Sequence, residues 1–288
     1  HHIIIVEPHE LAEYVKRWNN PYRTFIPLDM RFKTIYDCCD DKYDDYKTGP
    51  GPARNYAWYL SSLMGFERHW VMDDNIRRFQ LLHRNNRPYE ILDSSGFRLC
   101  EEFTDTYDIT MSGLNYEMFV KGNIANHPFN INTRIYSCNL IKNQYAIPAP
   151  QTATDLLVAH HTKYLLDISK ILNLPNMDFG DKLKLNSLKW WRGRYNEDTD
   201  LSIRMLKEGL MTIQFSFMVQ QKVNTQQIGG GNTAEFYNEE GTKNKSDMIV
   251  NLHPDYCKSK VKFNRHHHEV DYLKIRKDFL QEAEKDFD

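Results

Sequence analysis

The sequence predicts an α/β protein with a Rossmann-like central mixed sheet flanked by helices, and three features carry that expectation. Ile3 to Val6 is a short β-branched apolar run closed by Glu7-Pro8, the pattern of a buried strand. Leu11, Tyr14, Val15 and Trp18 then recur at helical spacing, and Arg23 to Leu28 reads as a second strand. Strand, helix and strand thus follow at the distance of a parallel crossover. Arg68 to Met72 forms a further strand, which delivers Asp73-Asp74-Asn75 at its carboxyl end. Ligand sites of open α/β sheets lie at that edge.

The 288 residues, 41% of them hydrophobic, suffice for one full core, so a single domain over 3–288 is expected. Within it the reading separates an amino-terminal half, residues 3 to about 110, a second half, about 111 to 288, and an inserted helical segment over about 150–187. With 37 basic and 39 acidic side chains, the molecule as a whole exerts no strong pull on polyanions, and any nucleic-acid binding needs a local patch. Five cysteines, odd in number and without a CxxC pair, argue against a disulfide framework or a zinc knuckle and point to a reducing, cytoplasmic interior. No apolar run reaches the roughly 18 residues of a membrane span.

The remaining elements follow in order. Residues 37–52, rich in aspartate and ending in Gly49-Pro50-Gly51-Pro52, read as an exposed loop before a helix from Ala53 to Met64. Asp108 to Leu114 and Pro128 to Asn143 read as strand-bearing stretches, with a hairpin corner at Asn130-Ile131-Asn132-Thr133. Leu156, Leu157, His160, Tyr164, Leu165, Ile168 and Leu172 keep helical spacing over 153–173, up to Pro175. Glu197 to Glu208 reads as a helix and Leu210 to Val219 as a core strand, whereas the last seventy residues are polar, glycine-punctuated and rich in His and Lys. Gly229-Gly230-Gly231-Asn232-Thr233 lacks the Lys-Ser/Thr ending of a phosphate loop and reads as a covering loop.

Four stretches carry residue types suited to chemistry. Asp73, Asp74 and Asn75 offer hard oxygens for Mg²⁺ or Mn²⁺, although Asp74-Asn75 would equally cap a helix beginning at Ile76. Asn196-Glu197-Asp198-Thr199-Asp200 places carboxylates at a helix start, as proton acceptors or as dipole partners. His253, held extended before Pro254, carries an imidazole of the kind that, when neutral, suits a third metal position, although a lone histidine is more often a surface or core residue. Lys182, Lys184, Lys189, Arg192 and Arg194 surround Trp190-Trp191, either a cationic stacking surface for nucleic acid or core tryptophans beside a solvated basic face. Paired aspartates with a histidine also serve two-metal phosphoryl chemistry, so a nuclease or nucleotidyltransferase stays open on these residues.

Taken in order, Gly-Pro-Ala-Arg-Asn-Tyr-Ala-Trp (51–58), His-Trp-Val-Met-Asp-Asp-Asn-Ile (69–76), Gly-Leu-Asn-Tyr-Glu-Met-Phe (113–119), Arg-Gly-Arg-Tyr-Asn-Glu-Asp-Thr-Asp-Leu-Ser (192–202), Gly-Gly-Gly-Asn-Thr (229–233) and His-Pro-Asp (253–255) resemble the TET/JBP-associated glycosyltransferases. The resemblance spans nearly the whole chain and implies a GT-A fold and a family found mostly in phages. It implies transfer of a sugar from a UDP-sugar, UDP-glucose first, to hydroxymethylcytosine or hydroxymethyluracil in DNA, the hydroxyl being made by a TET/JBP-type dioxygenase. The nucleotide-sugar half would be the amino-terminal one and the acceptor half the other.

By the same resemblance, Asp73, Asp74, Asn75 and His253 match the Mn²⁺ or Mg²⁺ ligands, and Asp198, beside Glu197, matches the catalytic base. Val6, Glu7 and Pro8 would border the nucleobase, Arg54 and Asn55 would contact the donor's nucleotide or phosphates, and Arg265 and His267 would face the diphosphate. Asn115, Tyr116, Trp190, Trp191, Arg192 and Arg194 would serve the acceptor. The tip reads Asp-Asp-Asn where the family pattern is Asp-x-Asp. A protein or polysaccharide acceptor is the alternative, against which the basic tryptophan segment argues.

Overall fold

The computed structural model describes residues 2–34, 36–40, 48–83, 86–120, 122, 124–143, 190–223, 241–262 and 265–285. The helix expected over 153–173, the lysines Lys182, Lys184 and Lys189, and the glycine stretch 229–233 lie outside the described residues. The chain divides into two compact units of interleaved segments: 1–36, 50–69 and 143–190 in the first, and 37–49, 70–142 and 191–288 in the second. Residue 110, near which the sequence reading set its division, falls inside the second unit.

In the first unit, β1 (His2–Val6) and β2 (Arg23–Pro27) pair in parallel, from His2 opposite Arg23 to Val6 opposite Pro27, with α1 (Leu11–Trp18) as the crossover. The strand, helix and strand expected from the first residues are therefore present. Burial is reversed from the simplest expectation: Thr24, Phe25 and Ile26 of β2 are buried, whereas Ile3 of β1 is exposed. The short α2 (Arg31–Thr34) and α3 (Gly51–Leu63), opened by Pro52 in its first turn, complete the packing. The core joins Ile26, Leu28, Phe32, Tyr56, Tyr59, Leu60 and Trp190.

The second unit is built on a mixed seven-stranded sheet in the order β3 (Arg68–Met72), β8 (Cys138–Lys142), β6 (Met111–Tyr116), β9 (Thr212–Lys222), β4 (Ile76–His83), β5 (Arg87–Glu90), with β7 (Phe129–Ile131) also on β9. β6 and β9 run parallel; β8, β4 and β7 are antiparallel to their partners. α4 (Ser95–Thr106) supplies Cys100 and Phe103 to a core with Ile109, Leu114, Cys138, Ile213, Phe215 and Met218. Ile76 opens a strand, so Asp74 and Asn75 occupy a turn and the helix-cap reading of that pair does not hold.

α5 (Glu197–Lys207), α6 (Gly241–Leu252), a hairpin of β10 (Cys257–Lys262) and β11 (Arg265–Val270), and α7 (Tyr272–Lys285) follow. Ile203, Leu206, Ile249, Cys257 and Ile275 form their shared core. The polar, His- and Lys-rich end of the chain, to which the sequence assigns no element, thus folds into α6, the hairpin and α7. All five cysteines are free thiols, and among the described residues no helix is long and apolar enough to cross a membrane.

One close approach fixes the β6–β8 contact. A Cβ added to Gly113 would lie 2.3 Å from both the Cys138 carbonyl oxygen and Ile135 Cγ2, inside the repulsive wall of backbone and side chain alike. Gly113→Ala is expected to destabilise the fold by roughly 1–3 kcal/mol or more. A urea midpoint equal to that of the parent chain would contradict this account of the strand spacing.

Candidate functional site

The aspartate tip crosses the sheet edge where β6 and β9 end. The Asp73 amide donates to the Ser137 carbonyl (2.8 Å), and the Val223 amide donates to the Asn75 carbonyl (3.0 Å), so the tip is fastened at both ends. The Lys222 ammonium lies 2.6 Å from Asp73 Oδ2 and 3.0 Å from Ser137 Oγ. Burial works against that charge, but Asp73 and the Tyr116 ring beside it outweigh the penalty and raise the Lys222 pKa. Asp74 is exposed, and Asn75 carries a buried Oδ1 without a hydrogen-bond partner.

The acidic helix start is organised around its last member. Asp200 is fully buried and accepts hydrogen bonds from Arg192 (Nε, 3.1 Å to Oδ2), Arg204 (Nε, 2.7 Å) and His253 Nε2 (2.9 Å). Burial alone would push this carboxyl up; the hydrogen bond from His253 and the two guanidiniums prevail and hold it well below the usual carboxylate range. With Nε2 donating, the buried Nδ1 of His253 is left as a lone pair without a partner. A histidine oriented by a carboxylate through one nitrogen is the arrangement that metal-ligating imidazoles adopt.

Local backbone makes this possible. Asn196 takes left-handed geometry (φ 51°), tolerable for asparagine, and its side chain donates to the Lys245 carbonyl of α6 at 2.6 Å. Glu197 is buried at the first position of α5, while Asp198 is half-buried and accepts from the Thr199 amide at 2.7 Å.

Beside this helix start lies a cavity of about 480 Å³, whose walls include Asn115, Asn130, Gln214, Arg134, Tyr136 and His268. Asn115 stands where the β6–β9 register shifts, between Leu114 opposite Phe215 and itself opposite Val219. Its Oδ1 accepts from Tyr136 Oη at 3.3 Å. The Arg134 guanidinium stacks over the Tyr136 ring, 4.4 Å from its centroid, and although burial opposes its charge, Asp198 sustains it. His268 is pushed down to about 4 by burial and by the charges of Arg134 and Lys245, so its imidazole is neutral at pH 7. Asp198 also acts electrostatically on His268, Tyr136 and Tyr272, all cavity-lining residues.

A run of contacts joins the two acidic centres within this unit. Asp73 meets Lys222, Lys222 meets Ser137, Ser137 Oγ lies 2.9 Å from Tyr116 Oη, and Tyr116 packs on Tyr136 at 4.7 Å, beneath Arg134 and hence beside Asp198. Asn115 and Tyr116, expected at an acceptor site, belong to this run. His253 joins the acidic helix start through Asp200, whereas its sequence motif suggested the aspartate tip. Among the described residues no three His, Cys, Asp or Glu side chains are grouped to hold a metal ion.

Other expected residues fall elsewhere. Val6 is buried at the end of β1, Glu7 pairs with Lys33 at 2.5 Å, Pro8 is exposed, and Arg54 and Asn55 are buried in the first turns of α3, all in the first unit. Trp190 packs there against Trp58, and Trp191, 1% exposed, is core of the second unit. The guanidiniums of Arg192 and Arg194 are engaged by Asp200 and Asp40. Of the two readings of Trp190-Trp191, the buried rings match the core one, and Arg192 and Arg194 are ion-paired beside them. Arg265 and His267 lie on the outward face of β11, and His268 on the inward one. Arg134, Lys222 and His268 escaped sequence reasoning; alternation along β11, had the strand been recognised, would have set His268 apart from its neighbours.

A mixed α/β sheet with a polar cavity beside one acidic centre and a second acidic centre at a strand edge is an arrangement suited to holding a small polar ligand. The chain belongs to the TET-associated glycosyltransferase family, whose model matches residues 1–231. It is accordingly a glycosyltransferase, and the phosphoryl-transfer alternative is set aside. No curated protein and no solved structure matches the chain.

Two outcomes follow from these groups. Asp200→Asn removes the anion between the buried guanidinium of Arg204 and the partly exposed one of Arg192 and is expected to cost about 3–5 kcal/mol in denaturant unfolding; a loss below about 1 kcal/mol would remove the network from its structural role. Because the folded pKa of His268 lies below the ordinary 6.5, the unfolded chain binds more protons between about 6.5 and 4. Its contribution to stability therefore declines as pH falls through that window. The ring is expected to titrate near 4 by NMR, and a midpoint at 6 or above would contradict its placement.

Proposed function

We propose that this enzyme has a GT-A fold and moves a sugar from a UDP-sugar, UDP-glucose first, to the hydroxymethyl oxygen of a modified pyrimidine in DNA. The observation that carries the acceptor half of this reading is the cavity beside Asp198. Its amides (Asn115, Asn130, Gln214) suit the hydrogen-bonding edge of a base, Tyr136 offers a ring, and its volume lies within the range of small-ligand sites.

In this reading Asp198 accepts the proton of the attacking hydroxyl, the oxygen forms its bond to the anomeric carbon, and the carbon–oxygen bond to the diphosphate breaks with its electron pair on the departing UDP. Attack opposite the leaving group inverts the anomeric configuration. Arg134, its charge sustained by Asp198, places a guanidinium beside the catalytic base, and the neutral His268 lines the pocket without adding a competing positive charge.

The residues at the tip fit a divalent cation: the exposed Asp74 carboxylate and the orphaned Asn75 Oδ1 are hard oxygens, and Asp73 would add a third once Lys222 yields it, whereas His253 stands at the acidic helix start on Asp200. Such a cation supplies charge neutralisation for a departing diphosphate. Production of the acceptor hydroxyl by a TET/JBP-type dioxygenase completes the proposed setting.

Incubation of hydroxymethylcytosine and hydroxymethyluracil DNA with a panel of UDP-sugars and Mn²⁺, followed by nucleoside mass spectrometry, tests the reading. A sugar adduct on DNA is expected; turnover only with protein or polysaccharide acceptors would refute it. Asp198→Asn is expected to lower transfer by roughly 10²–10⁴-fold with UDP-sugar affinity retained, and full activity would take the base role from Asp198. Asp74→Ala is expected to abolish the Mn²⁺ dependence of UDP-sugar binding.

A further inference from the structure

We infer that the outer face of the β10–β11 hairpin binds the phosphate backbone of duplex DNA. The hairpin lies beyond the residues 1–231 matched by the family model, and the choice of DNA as the polyanion rests on the proposed function.

Opposed residues of an antiparallel pair share a face. The register sets Lys258 opposite Glu269, Lys260 opposite His267 and Lys262 opposite Arg265 on one face, all six exposed. The other face holds Cys257 with Val270, Ser259 with His268 and Val261 with His266. That face turns inward toward its base, where Cys257 is buried, Ser259 Oγ lies 3.0 Å from Ser246 Oγ of α6 and His268 and Val270 line the cavity, while Val261 near the hairpin end is exposed. Glu269, the one carboxylate of the outer face, is taken by Lys260.

Three lysines and an arginine thus stand on a narrow ribbon of a chain whose formal net charge is −2. The concentration is local, and it has a cost, because Lys262 and Arg265 stand directly opposite one another and like charges so placed repel. A polyanion relieves that repulsion. Alternate residues of a strand stand about 7 Å apart, so the lysines form a regular row, and a two-stranded ribbon has the width that a B-DNA major groove admits. Contacts of this kind fix position and carry no base sequence. The same strand that presents Arg265 and His267 outward contributes His268 to the cavity wall, so a backbone held outside is held at a fixed distance from the pocket.

The test measures binding of a short unmodified duplex by fluorescence anisotropy over a series of NaCl concentrations, with no sugar donor present. The triple variant K258S/K260S/K262S is expected to bind at least about tenfold more weakly, with the log–log salt slope smaller by about 2–3, near 0.9 for each phosphate no longer neutralised. K258R/K260R/K262R is expected to retain the parent affinity, and both variants the parent melting temperature. Unchanged affinity and slope in the serine variant overturn the inference. So does charge-dependent binding of the parent chain to phosphatidylserine vesicles with none to the duplex. A parent chain that transfers no sugar to hydroxymethylated DNA, yet loses duplex binding in the serine variant, would refute the proposed function and leave the surface standing.

Discussion

The carboxylate of Asp200 is the fixed point of the second unit. Three donors converge on it from the segment before α5, from α5 itself and from the end of α6. Each partner alone would be a buried charge or imidazole at several kcal/mol of desolvation; together they neutralise one another. The network also settles where Asp198 points. Two residues along an α-helix correspond to about 200° of rotation, so with Asp200 turned into the protein its neighbour two places earlier faces nearly the opposite way. Asp198 accordingly remains half-buried and acts on Arg134, His268 and Tyr272, while Asp200 is turned away from the cavity.

Periodicity does similar work elsewhere. In β11 a two-residue alternation sends His267 outward and His268 to the cavity, so a triplet of identical side chains divides into different environments. In β6 the strand reaches Asn115 just where its register against β9 shifts, and such irregularities re-aim a side chain at the end of a ladder. The shift leaves Gln214 and Ser216 of β9 lining the same cavity as Asn115.

Much of this was legible where apolar residues recur at strand or helix spacing along one short segment. β1, α1, β2, β3, α3, α5 and β9 were all readable from short-range patterns, and the acidic tip follows directly from the end of β3. β4 and β5 were not, since Ile76 to Glu90 mixes arginines, histidine and glutamine with its apolar residues and leaves β5 wholly exposed. The helices and hairpin after residue 240 were obscured in the same way: β10 buries only its first residue. The cavity has no local signature at all, because its walls come from positions between 115 and 272 and only the sheet brings them together. Trp190 and Trp191 show the limit from the other side. Composition permits a stacking surface or a core, and partners distant in sequence, Trp58 and Phe32 for Trp190, decide for the core.

The charges around the two acidic centres bear on how an anionic donor would be received. Asp73 is matched by Lys222 and Asp198 by Arg134, so these two carboxylates present little unbalanced negative charge to an incoming diphosphate, whereas the exposed Asp74 carboxylate has no such match among the described residues. Neutrality removes repulsion without supplying attraction. On the proposed reading the attraction comes from a cation at Asp74 and Asn75, the two tip residues whose oxygens no cationic side chain of the described fold takes up in a hydrogen bond or ion pair. If a cation also drew Asp73 away from Lys222, the released ammonium, anchored by Ser137 and the Tyr116 ring, would remain beside the diphosphate as a second positive charge. On that reading Lys222 stays at the tip, held by Ser137 and the Tyr116 ring, whether or not it pairs with Asp73.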